Sequence, residues 1–388
     1  MAIPRDPQPP PLMPVRLLQW FRALAPPYQM GILLGITLFL VFLVALAALF
    51  LYQQSRHQPR VARAGHPGSY LFCTWNAENF FDDENDPENR DEMENWFARD
   101  PEAFRLKVDH LSDALLLMNN GKGPDIASLL EVENVRCMDA LRDALNAKLE
   151  AGGQSNARYE NVVFREDHTG RRFAPGILTR LPVIADKTRQ LGSGGLKRIL
   201  EGHIRVNDHE LVVIAAHWTS RVHEGTADHR FRYAESCHGR ARQIITANPD
   251  ADVIVCGDFN DEFGDRSVQE GLHASDDPQA VLQALNPPLL LDLSAHLDAH
   301  LDPKGTIYGN RHWSIFDHIC VSRGLLDSKG WSCNPQQTEI FAPHALRTGV
   351  DRRPFSFGSP RQLRERGCSD HFPVVTRLYV AGNEEPAP

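Results

Sequence analysis

The sequence predicts an α/β domain whose sheets are covered on both faces, and three observations predict it. Runs such as YLFCTW (70–75), IASLL (126–130), VVIAA (212–216) and VIVCG (253–257) are apolar at nearly every position, so neither strand face meets water. Between such runs lie stretches with apolar residues at helical spacing, bounded by capping and stopping residues. Polar residues recur at the strand ends, although burying a carboxylate unpaired would cost several kcal/mol. Helices or a second sheet must therefore cover the strands, and something must meet the acids.

The elements follow in chain order. Residues 1–29 form a proline-rich segment. Residues 30–52, MGILLGITLFLVFLVALAALFLY, carry no charge; at 1.5 Å per residue they reach about 34 Å, enough for a hydrocarbon core of about 30 Å. They are read as a transmembrane helix, a membrane partner and a single-pass location. Flanking arginines stand on both sides (Arg5, Arg16, Arg22; Arg56, Arg60, Arg63), so charge leaves orientation open; the extracytoplasmic side is the expectation. Residues 53–68 are polar, broken by Pro and Gly, and read as a linker; residues 69–382 read as the catalytic domain and 383–388 as a tail.

Within the domain SYLFCTW is a strand. Asp100-Pro101-Glu102 starts a helix with Phe104, Val108, Leu111, Leu115 and Met118 on one stripe and Gly121 as its stop. DIASLLEVE is a buried strand, followed by a helix with Met138, Leu141, Leu145 and Leu149 on one face, ending at Gly152-Gly153. HIRV and LVVIAAHW flank Asn207-Asp208, a hairpin signal. A basic helix follows Asp228; VIVCGDF, IFDHICV and FPVVTRLYV are later strands.

Composition sets bounds. With 41 basic against 50 acidic residues, a net charge of −9 argues against coating long nucleic acids by charge alone, though a local basic cleft is compatible with it. Seven cysteines (73, 137, 237, 256, 320, 333, 368) form no CxxC or Cys/His zinc spacing. Ten acids between Asp82 and Glu102 read as a solvated acidic loop. His217, His223 and His229 recur every sixth residue, a spacing that fits neither a strand face nor a helix face, so zinc is disfavoured.

Any one strand-end Asp is usually a turn or cap. Six such events are harder to assign to capping: Asn76 and Glu78, Glu131 and Glu133, His217, Asp258 and Asn260, Asp317 and His318, Asp370 and His371. The chemistry they suit is attack of water on a phosphate ester. Hard oxygen donors favour Mg²⁺, with Mn²⁺ as a substitute. An Asp can orient and deprotonate water, an Asn can hydrogen-bond phosphoryl oxygens, and a His paired with a carboxylate serves as acid or clamp. Asp258, Asn260, His371 and Asp317 fit those needs. Arg171, Arg172 and Arg221 are candidate phosphate contacts, as is the arginine-rich loop 352–367 before the Ser369-Asp370-His371 motif.

TWNAENFFD, SLLEVEN, AAHWTSR, CGDFND, SIFDHICVS and CSDHFPV, in this order, resemble the motifs of the endonuclease/exonuclease/phosphatase superfamily over about residues 70–380. The resemblance implies a four-layer αββα sandwich of two packed, mainly antiparallel sheets with outer helices and the active site at one rim. It implies Glu131 as main Mg²⁺ ligand, with Asn76 and Asp370 beside the metal. It also implies Asp258 as the residue that activates the nucleophile and Asn260 as a phosphoryl-oxygen donor. His371 would bind the scissile phosphate with support from Asp317, and His217 would be a second catalytic histidine. The expected function is hydrolysis of a phosphodiester, with nucleic acid as the partner because the motifs look closer to the nuclease-like members. Alternatives are a phospholipid or inositol-phosphate substrate, and a catalytically silent scaffold, which would need no such carboxylate cluster.

Overall fold

The computed structural model describes residues 68–381, apart from 88, 90, 168–170, 193–198, 223–224, 298–300 and 362–364, together with a few positions between 22 and 28. The expected anchor over residues 30–52 lies outside the described residues. Among the described residues no helix is long and apolar enough to cross a membrane, which overturns the expected single-pass location. The longest of them, Ala227–Ala247, has 21 residues but carries Arg230, Arg232, Glu235, Arg240 and Arg242. Charges of that number exclude a hydrocarbon environment.

Two sheets form the centre. The first contains β1 (Ser69–Phe80), β2 (Ile126–Val132), β3 (Asn161–Phe164) and β4 (Ala174–Thr179). The second contains β5 (Arg189–Leu191), β6 (Ile199–Val206), β7 (His209–His217), β8 (Asp252–Asp258) and β9 (Asp317–Val321). The last strand, β10 (Val374–Val380), returns to the first sheet, which runs β10–β1–β2–β4–β3 with short strands Trp331–Cys333 and Glu339–Ile340 on β10. The second runs β5–β6–β7–β8–β9, then Leu290–Asp292 and Ala274–Ser275. The sheets are mixed: most pairs are antiparallel, but β1 runs parallel to β2 and β7 parallel to β8.

Those parallel pairs need helical crossovers. Helix α1 (Pro101–Leu116) starts at Asp100, whose side chain accepts from the Ala103 N–H. It lies in the connection between β1 and β2. Helix α2 (Val135–Ala151) follows β2, capped by Asn134, which accepts from the Cys137 N–H. Helix α3 (Ala227–Ala247) joins β7 to β8.

Strand alternation builds three apolar layers. Along β7, Leu211, Val213 and Ala215 point between the sheets, while Val212, Ile214 and Ala216 point outward to a core with Tyr233, Cys237, Ala241 and Ile245 of α3. Along β8, Ile254 and Cys256 face the inter-sheet core while Val253 and Val255 face α3. On the first sheet, Phe72 faces inward and Cys73 and Trp75 face Leu111, Leu115, Met138 and Leu141 of α1 and α2. Each buried aliphatic side chain contributes about 1.5–3 kcal/mol, so the double-sided apolar strands are what the layers require. All seven cysteines are free and six are buried.

Strand direction decides where the polar ends meet. Parallel β1 and β2, and parallel β7 and β8, send their C-terminal ends the same way within each sheet. β10 is antiparallel to β1 and β9 is antiparallel to β8, so each presents its N-terminal end at that same edge.

Candidate active site

Asn76 stands at the centre of that edge. Its Oδ1 accepts the Glu78 N–H at 2.9 Å, which fixes the amide so that Nδ2 faces the hollow. Nδ2 donates to Asp258 Oδ2 at 2.9 Å and to Glu131 Oε1 at 3.3 Å. Asn76 thus bridges the two acids through its nitrogen. His217 Nε2 lies 3.7 Å from Glu131 Oε1 and 3.6 Å from Asp258 Oδ2. His371 Nε2 lies 3.7 Å from the same Asp258 oxygen. Its Nδ1 is 2.7 Å from Asp317 Oδ2, and a carboxylate can only accept, so Nδ1 carries the hydrogen. Register makes this inevitable: His217 and Asp317 are the cross-strand partners of Asp258 on either side.

The backbone is bent to achieve it. Glu78, Asn79, Glu131 and Asn260 take positive φ angles of 52°, 54°, 59° and 51°. Each such non-glycine residue costs about 1–3 kcal/mol, and such strain gathers where side chains are aimed for a purpose. The β1–β2 register shifts between Asn76 and Phe80, and the Asn79 N–H then donates to Glu131 Oε2 at 2.8 Å. Behind Asp258, Phe259 stacks on Trp218 at 4.1 Å and on His318 at 4.9 Å between ring centroids. Asn260 donates its backbone N–H to Asp258 Oδ1 at 2.9 Å and its Nδ2 to the Trp218 carbonyl at 3.1 Å.

The charges are unequal in character. Burial works to raise the Glu131 carboxyl, but His217, then the Asn79 N–H, Arg171 and Asn76 outweigh it and hold it below the usual range. Burial raises Asp258, with His371 opposing and Asp317 adding to the rise. Burial alone would push His371 down; the charges of Asp317 and Asp258 prevail and hold it well above an ordinary histidine. A carboxyl raised by burial thus sits beside an imidazole whose affinity for a proton is raised by two acids.

Asp370 is exposed at the rim, close enough to Glu131 and Glu78 for their charges to act on its carboxyl. The donors facing the hollow are carboxylate oxygens of Glu131 and Asp258 with no sulfur among them, a set that fits a hard divalent cation. A separate acidic hollow of about 250 Å³ is lined by Asp82, Asp86, Glu133 and Asp167. Single donor atoms of Asp82 and Glu133 from its wall and of the buried Cys137 lie within 4.8 Å of one another, and burial pushes Glu133 up to about 8.

The three candidate arginines have protein acceptors. Arg221 donates to the Asn260 carbonyl at 2.6 Å and to Asp261 at 2.7 Å, and also pairs with Asp265. Arg171 binds Asp91 at 2.5 Å and Asn79 Oδ1 at 2.6 Å; Arg172 pairs with Asp86. Arg221 therefore braces the segment that carries Asn260, and Arg171 the turn at Asn79 whose N–H holds Glu131. In the basic loop, Arg352 pairs with Asp302, Arg361 with Glu92, and Arg366 donates to the Phe357 and Ser359 carbonyls. Of the histidine triplet, His217 is buried in the hollow, His229 is exposed on α3, and position 223 lies outside the described residues.

Two connecting residues carry weight that the motifs alone did not assign. Ser369 Oγ donates to the Asn76 carbonyl at 2.6 Å and accepts from the His371 N–H at 3.0 Å. Lys107, fully buried on α1, donates to the Cys368 carbonyl at 2.6 Å. The signal for Lys107 was its place on the apolar stripe with Phe104, Val108 and Leu111.

Residues 192–380 match the Endonuclease/Exonuclease/phosphatase family. No curated protein matches the sequence. Among solved structures, an endonuclease/exonuclease/phosphatase family protein from Bacteroides thetaiotaomicron is 15% identical, with 82% of this chain and 98% of that chain covered and a TM-score of 0.49. A humanized D. rerio TDP2 is 14% identical over 80% of this chain and 99% of that one, with a TM-score of 0.49. A mutant beta toxin from Staphylococcus aureus with bound magnesium ions is 12% identical over 80% and 99%, with a TM-score of 0.47. Over residues 192–380, just under half of its length, the chain is therefore similar to the endonuclease/exonuclease/phosphatase family.

Proposed function

We propose that residues 69–382 form a metal-dependent phosphodiesterase that hydrolyses nucleic acid. The observation that supports this reading most is the single Asn76 amide shared between Glu131 and Asp258, with both histidines within 3.7 Å of the same Asp258 oxygen. Likeness of the motif set to nuclease-like members points to the nucleic-acid class.

Glu131, with Asp370 beside it, would hold Mg²⁺ or Mn²⁺, which offsets charge on the phosphoryl oxygens and positions the ester. Asp258 orients the attacking water and takes its proton as the new P–O bond forms. Asn76 fixes the spacing of the two carboxylates. His371, cationic and held by Asp317, donates Nε2–H to a non-bridging oxygen. Asn260 adds an N–H, since an amide has two and one is committed to the Trp218 carbonyl. His217 gives a proton to the leaving oxygen as the ester bond breaks.

The test is hydrolysis of bis(p-nitrophenyl) phosphate by the purified full chain with Mg²⁺ or Mn²⁺, then with chelator. Chelation should abolish turnover, and Asp258→Ala should lower kcat by roughly 10²–10⁴. Metal-independent turnover, or full activity in D258A, refutes the mechanism. Cleavage of plasmid DNA, with sphingomyelin and phosphoinositides left intact, checks the substrate class; the reverse preference refutes it.

A further inference from the structure

The loop that delivers His371 is held at both ends by buried charges. At one end, Glu78 accepts the Phe357 N–H at 2.7 Å, the Gly358 N–H at 3.1 Å and the Ser356 hydroxyl. At the other, Lys107 Nζ donates to the Cys368 carbonyl and lies 4.7 Å from the centre of the Phe357 ring. One turn along α1, His110 Nδ1 is 2.7 Å from the Gly367 carbonyl. Two residues of one helix face therefore hold consecutive carbonyls. The loop closes on itself through Cys368 N–H to Phe355 O at 2.8 Å and Gly367 N–H to Ser356 O at 2.9 Å. It is tight enough that a Cβ on Gly367 would lie 1.7 Å from Phe355 O.

Cys368 leads directly to Ser369, the residue tied to both Asn76 and His371. A methionine would fill the volume of Lys107 with no charge to desolvate, so packing does not require the amine. What only the amine supplies is the hydrogen bond. We propose that Lys107 is a positioning residue: through the Cys368 carbonyl and Ser369 it sets where the His371 imidazole and the Asn76 amide stand relative to Asp258. This rests on the phosphodiesterase reading above.

The experiment compares the full chain with Lys107→Met, Lys107→Gln and a surface control, Lys329→Met. Turnover of bis(p-nitrophenyl) phosphate is measured together with thermal melting and the low-field ¹H NMR signal of the His371 Nδ1 proton shared with Asp317. K107M should keep the fold, lose about 10- to 100-fold in kcat with KM nearly unchanged, and shift or broaden the low-field signal. K107Q, which keeps a donor, should recover part of both, and K329M should match the parent. An unmoved low-field signal with unchanged kcat overturns the proposal. So does a loss of kcat that follows melting temperature alone, with K107Q no better than K107M. If the parent turns over no phosphodiester, the functional reading fails while the His371 signal in K107M still decides the positioning role: moved supports it, unmoved overturns it.

Discussion

A single methyl group at Gly257 should damage the fold where the site depends on it. Gly257 has φ +136°, and a Cβ built there would sit 1.9 Å from the Ala216 carbonyl oxygen. Real Cβ atoms essentially never approach within 3.0 Å, so β7 and β8 must part by about 1 Å. They part where Ala216 pairs with Gly257 and His217 with Asp258. Two weakened ladder hydrogen bonds cost about 1 kcal/mol each. Backbone strain at that φ adds about 1–3 kcal/mol. Gly257→Ala should therefore destabilise by about 4 kcal/mol, a large part of the 5–15 kcal/mol typical of a domain. Gly239 in α3 is the control, because nothing lies within 4 Å of its added Cβ. Gly239→Ala should stabilise by roughly 0.5–1 kcal/mol through the unfolded chain's lost freedom. Urea unfolding of both variants reads the two numbers. A G257A unfolding free energy within about 1 kcal/mol of the parent's, or the same sign for both, would refute the reasoning.

Three further outcomes follow from the same geometry. Asp317→Asn keeps an acceptor for the His371 Nδ1 hydrogen but removes the negative charge that most raises the imidazole, leaving Asp258 and Asp370 as the acids acting on it. The basic limb of the kcat profile should move acidward by about 1–3 pH units, and an unmoved limb counts against His371 acting as a cation. Burial pushes His238 down to about 4, whereas unfolded it binds a proton near pH 6.5. Its contribution is full above pH 6.5 and is lost as pH falls toward 4, about 3 kcal/mol in all. Urea unfolding of His238→Gln should show a shallower acid decline than the parent, and an identical slope rules the histidine out. Glu131→Gln should weaken Mg²⁺ binding to the full chain at least about tenfold by calorimetry, and unchanged affinity would move the cation elsewhere.

Much of the scaffold was legible because its elements are long and two-sided. β7 and β8 have apolar residues on both faces, and α1 and α2 carry strict stripes closed by Asp100 and Asn134 caps. Arg189–Leu191 and Trp331–Cys333 escaped notice because three-residue edge strands have no period to read. The mixed character of the sheets was also out of reach, since parallel and antiparallel pairing leave similar apolar runs when both faces are buried. At the site, residue types were readable but directions were not. Nothing in the letters says that Asn76 turns its nitrogen to the hollow; that follows from the Glu78 N–H, displaced by a positive φ. Nor do the arginines announce their acceptors. Arg171 and Arg221 read as phosphate contacts in a string of letters, and in space Asp91 and Asp261 reach them from distant loops.

Why the acids collect at one edge is a matter of chain polarity, and it separates the roles of fold and site. Asn76, Glu131, His217 and Asp258 belong to strands paired parallel within their sheets, so each sheet sends two of them to one edge. Asp317 and His371 precede or open strands running the other way, which brings them to the same place from the opposite chain direction. The packing that fixes those directions lies in residues such as Phe72, Val213 and Ile254, none of which touches the hollow. Side chains at the edge can then be strained, like-charged and costly without loosening the layers beneath. The positive-φ quartet marks where that freedom is used, since strain of this kind persists only when the surrounding structure over-determines it. Replacing an edge residue should therefore change chemistry before stability, whereas Gly257, which belongs to both the edge and the ladder, should change both.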